Sequence, residues 1–226
     1  MNYLVKYSAA AVLAAALAGC NSQPTTEETA GDARTETARG VNSFCGNQTS
    51  VDMVSAAQYL QGAAKNGDPV ALFYMGEFYR RGLDGVAEDN PKSDDAYAAA
   101  AKGLIAELKS NPNALAAFAL AEMAANGHGM DSDPAAAAAL YEYAALKDFA
   151  PARARLGAAL VTGNGVTLDL AKAEQLLKEA SMAGAAMADF ELYKLYLAQN
   201  RKDEAALRLK AAADRGIAEA LYVQGL

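Results

Sequence analysis

Apolar residues recur between residues 51 and 226 in two alternating patterns. In the first, alanine is followed two, four and five positions later by aromatic, apolar and small residues. In the second, alanine is followed by apolar residues at three and four positions and by a small or apolar residue at seven. Residues three, four and seven apart share one face of a helix, so both patterns predict amphipathic helices.

Copies of the first pattern begin at Ala71, Ala116, Ala152, Ala188 and Ala220. Copies of the second begin at Ala56, Ala101, Ala137, Ala173 and Ala205. The spacings are 45, 36, 36 and 32 residues in both series, which indicates an internal repeat near 36 residues.

Glycine-rich turns connect each first helix to the second. They read Gly-His-Gly-Met over residues 127–130 and Gly-Asn-Gly-Val over 163–166, with a longer version over 82–86. Glycine ends helices readily because it adopts the left-handed conformation without strain. Asp133 and Asp169 follow at positions that predict N-caps for the second helices. The turns therefore predict helix pairs.

The stretch from Gly163 to Ala173 reads Gly-Asn-Gly-Val-Thr-Leu-Asp-Leu-Ala-Lys-Ala. It resembles the Sel1-like repeat, a relative of the tetratricopeptide repeat. The resemblance covers residues 51–226 and is most faithful over 127–184. It implies an all-α fold, an α/α right-handed superhelical solenoid of antiparallel helix pairs, and a role in binding other proteins.

Several positions depart from the repeat. The first unit has about nine extra residues, predicted as a surface insertion at 87–95 before its second helix; a recognition loop is the alternative. The last full unit has Gln-Asn-Arg-Lys-Asp over 199–203 in place of the Gly-x-Gly turn. Arg208 stands where an apolar residue is expected, and Arg153 and Asp189 interrupt an apolar face.

The N-terminus resembles a lipoprotein signal peptide. Lys6 precedes an apolar run over residues 8–18 that is too short to span a bilayer. The sequence Leu-Ala-Gly-Cys at 17–20 resembles the bacterial lipobox. This implies a signal peptide over 1–19, lipid attachment at Cys20 and anchoring to a membrane of the cell envelope. Asn21 replaces the aspartate associated with inner-membrane retention, so the periplasmic face of the outer membrane is favoured.

Residues 20–50 are predicted to form a flexible tether, because large apolar side chains are scarce there. Cys45 is the only other cysteine and is expected to be idle or to pair between molecules. The array is then expected to begin with a second-type helix after residue 50. It is expected to stop at Leu226, midway through a first-type helix. Self-association through an open stacking surface around Leu221 is a further possibility.

The resemblance also implies a binding surface. In related superhelices the first helix of each pair lines the concave groove, and positions three, six and ten after its alanine are expected to be exposed. The candidate groove residues are Tyr74, Glu77, Arg81, Glu122, Asn126, Arg155, Thr162, Glu191 and Lys194. A solvated face without a ligand is the alternative interpretation.

Charge and motifs narrow the function further. The net charge of −7 and the lack of a basic stripe argue against a nucleic-acid partner. His128 is the only histidine, and no phosphate loop, nucleophile elbow or Ser-x-x-Lys motif is present. We therefore expect no catalytic residue, metal or cofactor, and a membrane-anchored scaffold or adaptor with protein partners. The alternative is an envelope enzyme active on peptidoglycan or β-lactams, although the related β-lactam-binding arrays resemble cysteine-paired repeats, which this chain lacks.

Overall fold

The computed structural model describes residues 33–45, 52–83 and 85–225, which form helices and no strands. The helices are α1 (Ala33–Cys45), α2 (Met53–Lys65), α3 (Pro69–Arg81), α4 (Asn90–Ser110), α5 (Ala114–Asn126), α6 (Pro134–Leu146), α7 (Ala150–Thr162), α8 (Leu170–Met182), α9 (Ala186–Ala198), α10 (Lys202–Asp214) and α11 (Ala218–Gln224).

Consecutive helices pack in pairs, from α1 with α2 to α9 with α10, and first helices of neighbouring pairs also touch. Small residues let the helix axes approach closely. A Cβ atom added to Gly157 would lie 2.7 Å from Leu177 Cγ, and one added to Gly76 would lie 2.6 Å from the Tyr97 ring. Buried alanines continue the core from pair to pair. The all-α solenoid expected from the repeat is therefore confirmed.

The predicted turn chemistry is also confirmed. Gly127 and Gly163 end α5 and α7 in the left-handed conformation. Asp133 accepts a hydrogen bond from the Ala136 amide at 3.0 Å, and Asp169 accepts one from the Lys172 amide at 2.9 Å. In the unit without Gly-x-Gly, Asn200 has a φ of 60°, so asparagine takes the left-handed turn position that glycine would otherwise occupy.

Helix α1 shows that the helical array starts earlier than residue 51, where it was predicted to start. The tether expected over 20–50 is wrong for residues 33–45, which form a helix packed on α2 and α3. Val41 is fully buried, and the missing side chain of Gly40 makes room for Leu60. Among the described residues, the array thus begins with a first-type helix. Composition concealed this helix because Val41 and Phe44 are its only large apolar residues besides Cys45.

The length of helix α4 shows that the extra residues of the first unit were predicted at the wrong place. It has 21 residues whereas its counterparts α6 and α8 have 13, and the turn before it is only one residue longer than the turn before α6. Tyr97 and Leu177 are both the eighth residue of their helices, and both face the small-residue position of the preceding helix. The extra residues therefore extend the C-terminal end of α4 and do not form an insertion at 87–95. The apolar face of α4 continues at three- and four-residue steps. In the register of the structure Ser93 takes the alanine position of the pattern, so the pattern matched the later alanine, Ala101.

At the far end of the array, Leu221 is partly buried against the last cluster, whereas Tyr222 is 85% exposed. Self-association through this end stays a prediction. The signal peptide and Cys20 lie outside the described residues, as does the side chain of Cys45. Within the described part of the chain, no helix combines the length and apolar character needed to cross a membrane.

Candidate functional site: the concave groove

A groove of about 870 Å³ runs along the first helices of successive pairs. Its lining includes Phe44 from α1, Phe73 from α3, Phe118 from α5, Ala154 from α7 and Met187 from α9. With Ala218 and Glu219 from α11, six first helices contribute, which agrees with the expectation that these helices line the concave surface.

Six of the nine candidate residues line this groove: Tyr74, Glu77, Arg81, Glu122, Asn126 and Arg155. The other three, Thr162, Glu191 and Lys194, are not part of its lining. The candidate residues therefore line the groove on α3, α5 and the first part of α7, but not further along the array.

Tyr74 and Glu77 are not exposed as predicted. Tyr74 is 2% exposed, and its ring packs edge-on against Phe44 and Phe73 at centroid distances of 4.9 Å each. Glu77 is 5% exposed. The prediction of exposure was wrong for Tyr74 because α1, which the sequence pattern missed, covers it.

Glu77 lies at the centre of a polar cluster. The Tyr97 hydroxyl donates to Glu77 Oε1 at 2.6 Å, and Arg80 and Arg81 contact Oε2 at 2.9 and 3.0 Å. The His128 ring stacks on Tyr97, and its Nδ1 is 2.8 Å from Glu77 Oε1 but outside hydrogen-bond alignment. The carboxylate is thus surrounded by groups from α3, from α4 and from the turn between α5 and α6.

These contacts change the acid–base behaviour of the cluster. Burial alone would raise the pKa of Glu77, but the contacts with His128, Tyr97 and Arg80 outweigh it and lower that pKa to about 2. Burial, followed by the interaction with Glu77, raises the pKa of Tyr97. Glu77 is therefore a structural carboxylate that is fully charged near neutral pH, with no oxygen left for a ligand.

An equivalent cluster recurs one repeat later. The Tyr141 hydroxyl donates to Glu122 Oε1 at 2.6 Å, and Arg155 Nε and a terminal nitrogen contact the two carboxylate oxygens at 2.8 and 3.0 Å. Burial, with the nearby charge of Glu122, raises the pKa of Tyr141. This bidentate pair joins α5 to α7 and fixes the Arg155 side chain in the groove.

The accessible polar groups of the groove include Arg81, Asn126 and Arg155, and the exposed acidic residues Asp52 and Glu219 also line it. The side chains of Arg81 and Arg155 are 49% and 40% exposed, and Asn126 is exposed at the end of α5. Sequence reasoning missed the apolar lining, part of which comes from α1 and from the start of α2, where no first-helix pattern was visible. The missed residues include Phe44, Met53, Val54, Leu83 and Met187.

A family model described as Sel1 repeat matches residues 38–68, 69–93, 114–149 and 150–184. The chain belongs to the Sel1 repeat family. The first matched repeat begins inside α1, earlier than residue 51, and the second stops at residue 93 within the lengthened α4.

Two solved Sel1-type structures resemble the chain. A Sel1 repeat protein from Oxalobacter formigenes is 27% identical, with 84% of this chain and 76% of that chain covered and a TM-score of 0.48. The protective antigen c5321 of uropathogenic Escherichia coli, which displays an SLR fold, is 20% identical. The alignment with this antigen covers 96% of this chain and 56% of the antigen, with a TM-score of 0.46. No curated protein matches the chain significantly.

Within this Sel1 repeat array, His128 is an inter-repeat packing residue. It occupies the turn between α5 and α6, stacks on Tyr97 of α4 and faces Glu77 of α3. Over the described residues, no group of three or more histidine, cysteine or acidic side chains is arranged to hold a metal ion. The one histidine is thus committed to a contact between neighbouring repeats.

Proposed function

We propose that this Sel1 repeat protein is a non-catalytic scaffold that binds another protein in its concave groove. Sel1 repeats are typically protein-interaction modules. The observation that carries the proposal is the groove itself, an apolar floor supplied by successive first helices with Arg81, Asn126 and Arg155 at accessible positions. Along α3, α5 and α7, this combination suits a partner segment that offers apolar side chains together with carboxylate or carbonyl oxygens.

The groove is organised before any partner arrives. Arg155 is held by two contacts to Glu122, and Glu122 is held in turn by Tyr141. A side chain that is already fixed loses little conformational freedom when it binds. The buried carboxylates of Glu77 and Glu122 therefore hold Arg81 and Arg155 in place at the binding surface.

We further propose that a lipid on Cys20 anchors the protein to the periplasmic face of the outer membrane. The lipobox-like sequence ending at Cys20 supports this proposal. Thirteen residue steps separate Cys20 from the start of α1 at Ala33, and a chain of that length reaches at most about 45 Å. The groove would then act close to the membrane surface.

Site-specific crosslinking tests the groove. A photoreactive residue placed at Asn126 in the full chain, in cells, should capture a discrete protein. The matched control is Glu142, which is exposed on second helix α6 and does not line the groove. Equal capture at both positions, or none at Asn126 in a folded protein, would rule the groove out as the binding site.

A separate experiment tests the anchor. The full chain should incorporate a labelled fatty acid and sediment with membranes, and Cys20→Ser should lose both properties. Cys45→Ser serves as the control and should retain them. Retention of label by Cys20→Ser would contradict anchoring at this residue and leave the groove proposal unaffected.

A further inference from the structure

The chain contains three Asn-Gly pairs, Asn66-Gly67, Asn126-Gly127 and Asn164-Gly165. Such a pair can deamidate without an enzyme. The glycine backbone nitrogen attacks the asparagine side-chain carbonyl carbon, the C–N bond of the side-chain amide breaks, and ammonia leaves. Water then opens the cyclic imide to aspartate or isoaspartate, so the balance is asparagine plus water giving either acid plus ammonia.

The fold blocks this reaction at two of the pairs. The Gly67 amide donates to the Ala64 carbonyl at 2.9 Å, and the Gly127 amide donates to the Met123 carbonyl at 2.8 Å. The Asn126 side-chain amide also donates to the Glu122 carbonyl at 2.8 Å. Attack requires each glycine nitrogen to leave its hydrogen bond first, and that requirement slows the reaction.

The third pair has no such protection. Asn164 and Gly165 are both exposed, and among the described residues neither the Asn164 side chain nor the Gly165 amide makes a hydrogen bond. We propose that Asn164 is a site of spontaneous deamidation, selected over the other two pairs by the fold and not by the dipeptide itself.

The product would form at an interface between repeats. Gly165 has a φ of 74°, and a Cβ atom at this residue would lie 2.1 Å from the Pro134 carbonyl oxygen at the start of α6. Isoaspartate lengthens the backbone by one atom immediately before this contact. Deamidation at Asn164 therefore separates the turn after α7 from the preceding helix pair.

Peptide mapping by mass spectrometry tests the proposal. The purified full chain is incubated in mildly alkaline buffer, both folded and in concentrated denaturant, and conversion is followed at all three asparagines. In the folded protein, Asn164 should convert at least about fivefold faster than Asn66 or Asn126, the effect expected from one protecting hydrogen bond. In denaturant the three rates should become similar.

Two variants complete the test. Asn164→Gln should abolish the main product, whereas Asn126→Gln should leave it unchanged. Hydrogen exchange in α6 should become faster in aged native protein but not in aged Asn164→Gln. Conversion of Asn66 or Asn126 as fast as Asn164 in the folded chain would overturn the proposal, as would the same preference for Asn164 in denaturant.

Discussion

Asp189 and Arg208 form an ion pair across helices α9 and α10, with Arg208 Nη1 at 2.9 Å from Asp189 Oδ1. The Asp189 side chain is only 4% exposed, and it also accepts a hydrogen bond from the Ser181 hydroxyl at 2.7 Å. Each residue departs from the repeat, because each stands where an apolar side chain would fit the helical face. The two departures compensate each other.

Removing only one partner should reveal this compensation. Arg208→Leu removes the nearer of two cations that face the buried Asp189 carboxylate, the other being Arg215 Nη1 at 3.5 Å from Oδ2. It should lower the free energy of unfolding by about 2 kcal/mol. Asp189→Ala should cost less, because the Arg208 side chain is 33% exposed and can turn towards water. Urea unfolding of the single and double variants measures both costs.

The double variant Asp189→Ala/Arg208→Leu restores two apolar positions. We expect its stability to lie within about 1 kcal/mol of the natural protein. If the two single effects simply add in the double variant, the ion pair does not couple the helices.

The Glu77 cluster predicts a loss of stability in acid. The pKa of the Glu77 carboxyl is about 2 in the folded protein, against an ordinary value of 4.5. A lowered pKa stabilises the fold fully above the unfolded value, and this stabilisation is lost as the pH falls from about 4.5 towards 2. The loss amounts to about 3 kcal/mol. Urea midpoints across this range should fall less steeply for Glu77→Gln than for the natural chain.

The matched change Glu142→Gln alters an exposed carboxylate on α6 and serves as the control for this measurement. It should leave the acid dependence of the natural protein intact. If the curves for Glu77→Gln and the natural protein are parallel, the cluster does not stabilise the charged form of Glu77.

Two turn glycines predict a contrast between two substitutions: Gly165, the second glycine of a Gly-x-Gly turn, and Gly67, in the turn between α2 and α3. Gly67 and Gly165 both have positive φ, but a Cβ atom at Gly67 meets nothing within 4 Å whereas one at Gly165 meets Pro134. Gly67→Ala should therefore cost about 1 kcal/mol for the backbone conformation alone. Gly165→Ala should cost about 2 kcal/mol more, as measured by chemical denaturation. Equal costs would show that the turn does not press against the preceding repeat.

Helix α1 predicts a docking contact that composition alone did not reveal. Val41→Asp places a charge in a fully buried position and should detach α1, at a cost of about 3 kcal/mol or more. Hydrogen exchange should then become faster in α2, residues 53–65. Arg39→Asp, at an exposed position of the same helix, should change this exchange little. Identical exchange in the two variants would mean that α1 does not pack on the array.

Features that depend on neighbouring residues could be predicted from the sequence. The caps at Asp133 and Asp169 and the helix ends at Gly127 and Gly163 follow from short-range backbone chemistry. The repeat period follows from packing, because each helix pair meets the same kind of neighbour. The path of the groove along the first helices was implied by the resemblance to related superhelices and not by the packing argument.

Features that depend on distant contacts could not. Tyr74 has the spacing of an exposed residue, but α1 covers it. Asp189 and Arg208 each interrupt a pattern, and only their proximity shows that they form a pair. The register of α4 was wrongly predicted because a serine stands at the alanine position of the pattern, and the position of Tyr97 opposite Gly76 resolves it.

The long helix α4 gives the array a fixed order. Its eight additional residues, 21 against 13, extend it by about 12 Å beyond the helices beside it. Uniform repeats can stack on the wrong neighbour during folding, because one interface resembles the next. A helix with two surplus turns fits only one place in the series, and the charged pair of Asp189 and Arg208 fits only another. Together, the long helix and the ion pair disfavour folded arrangements in which a helix packs against the wrong neighbouring repeat.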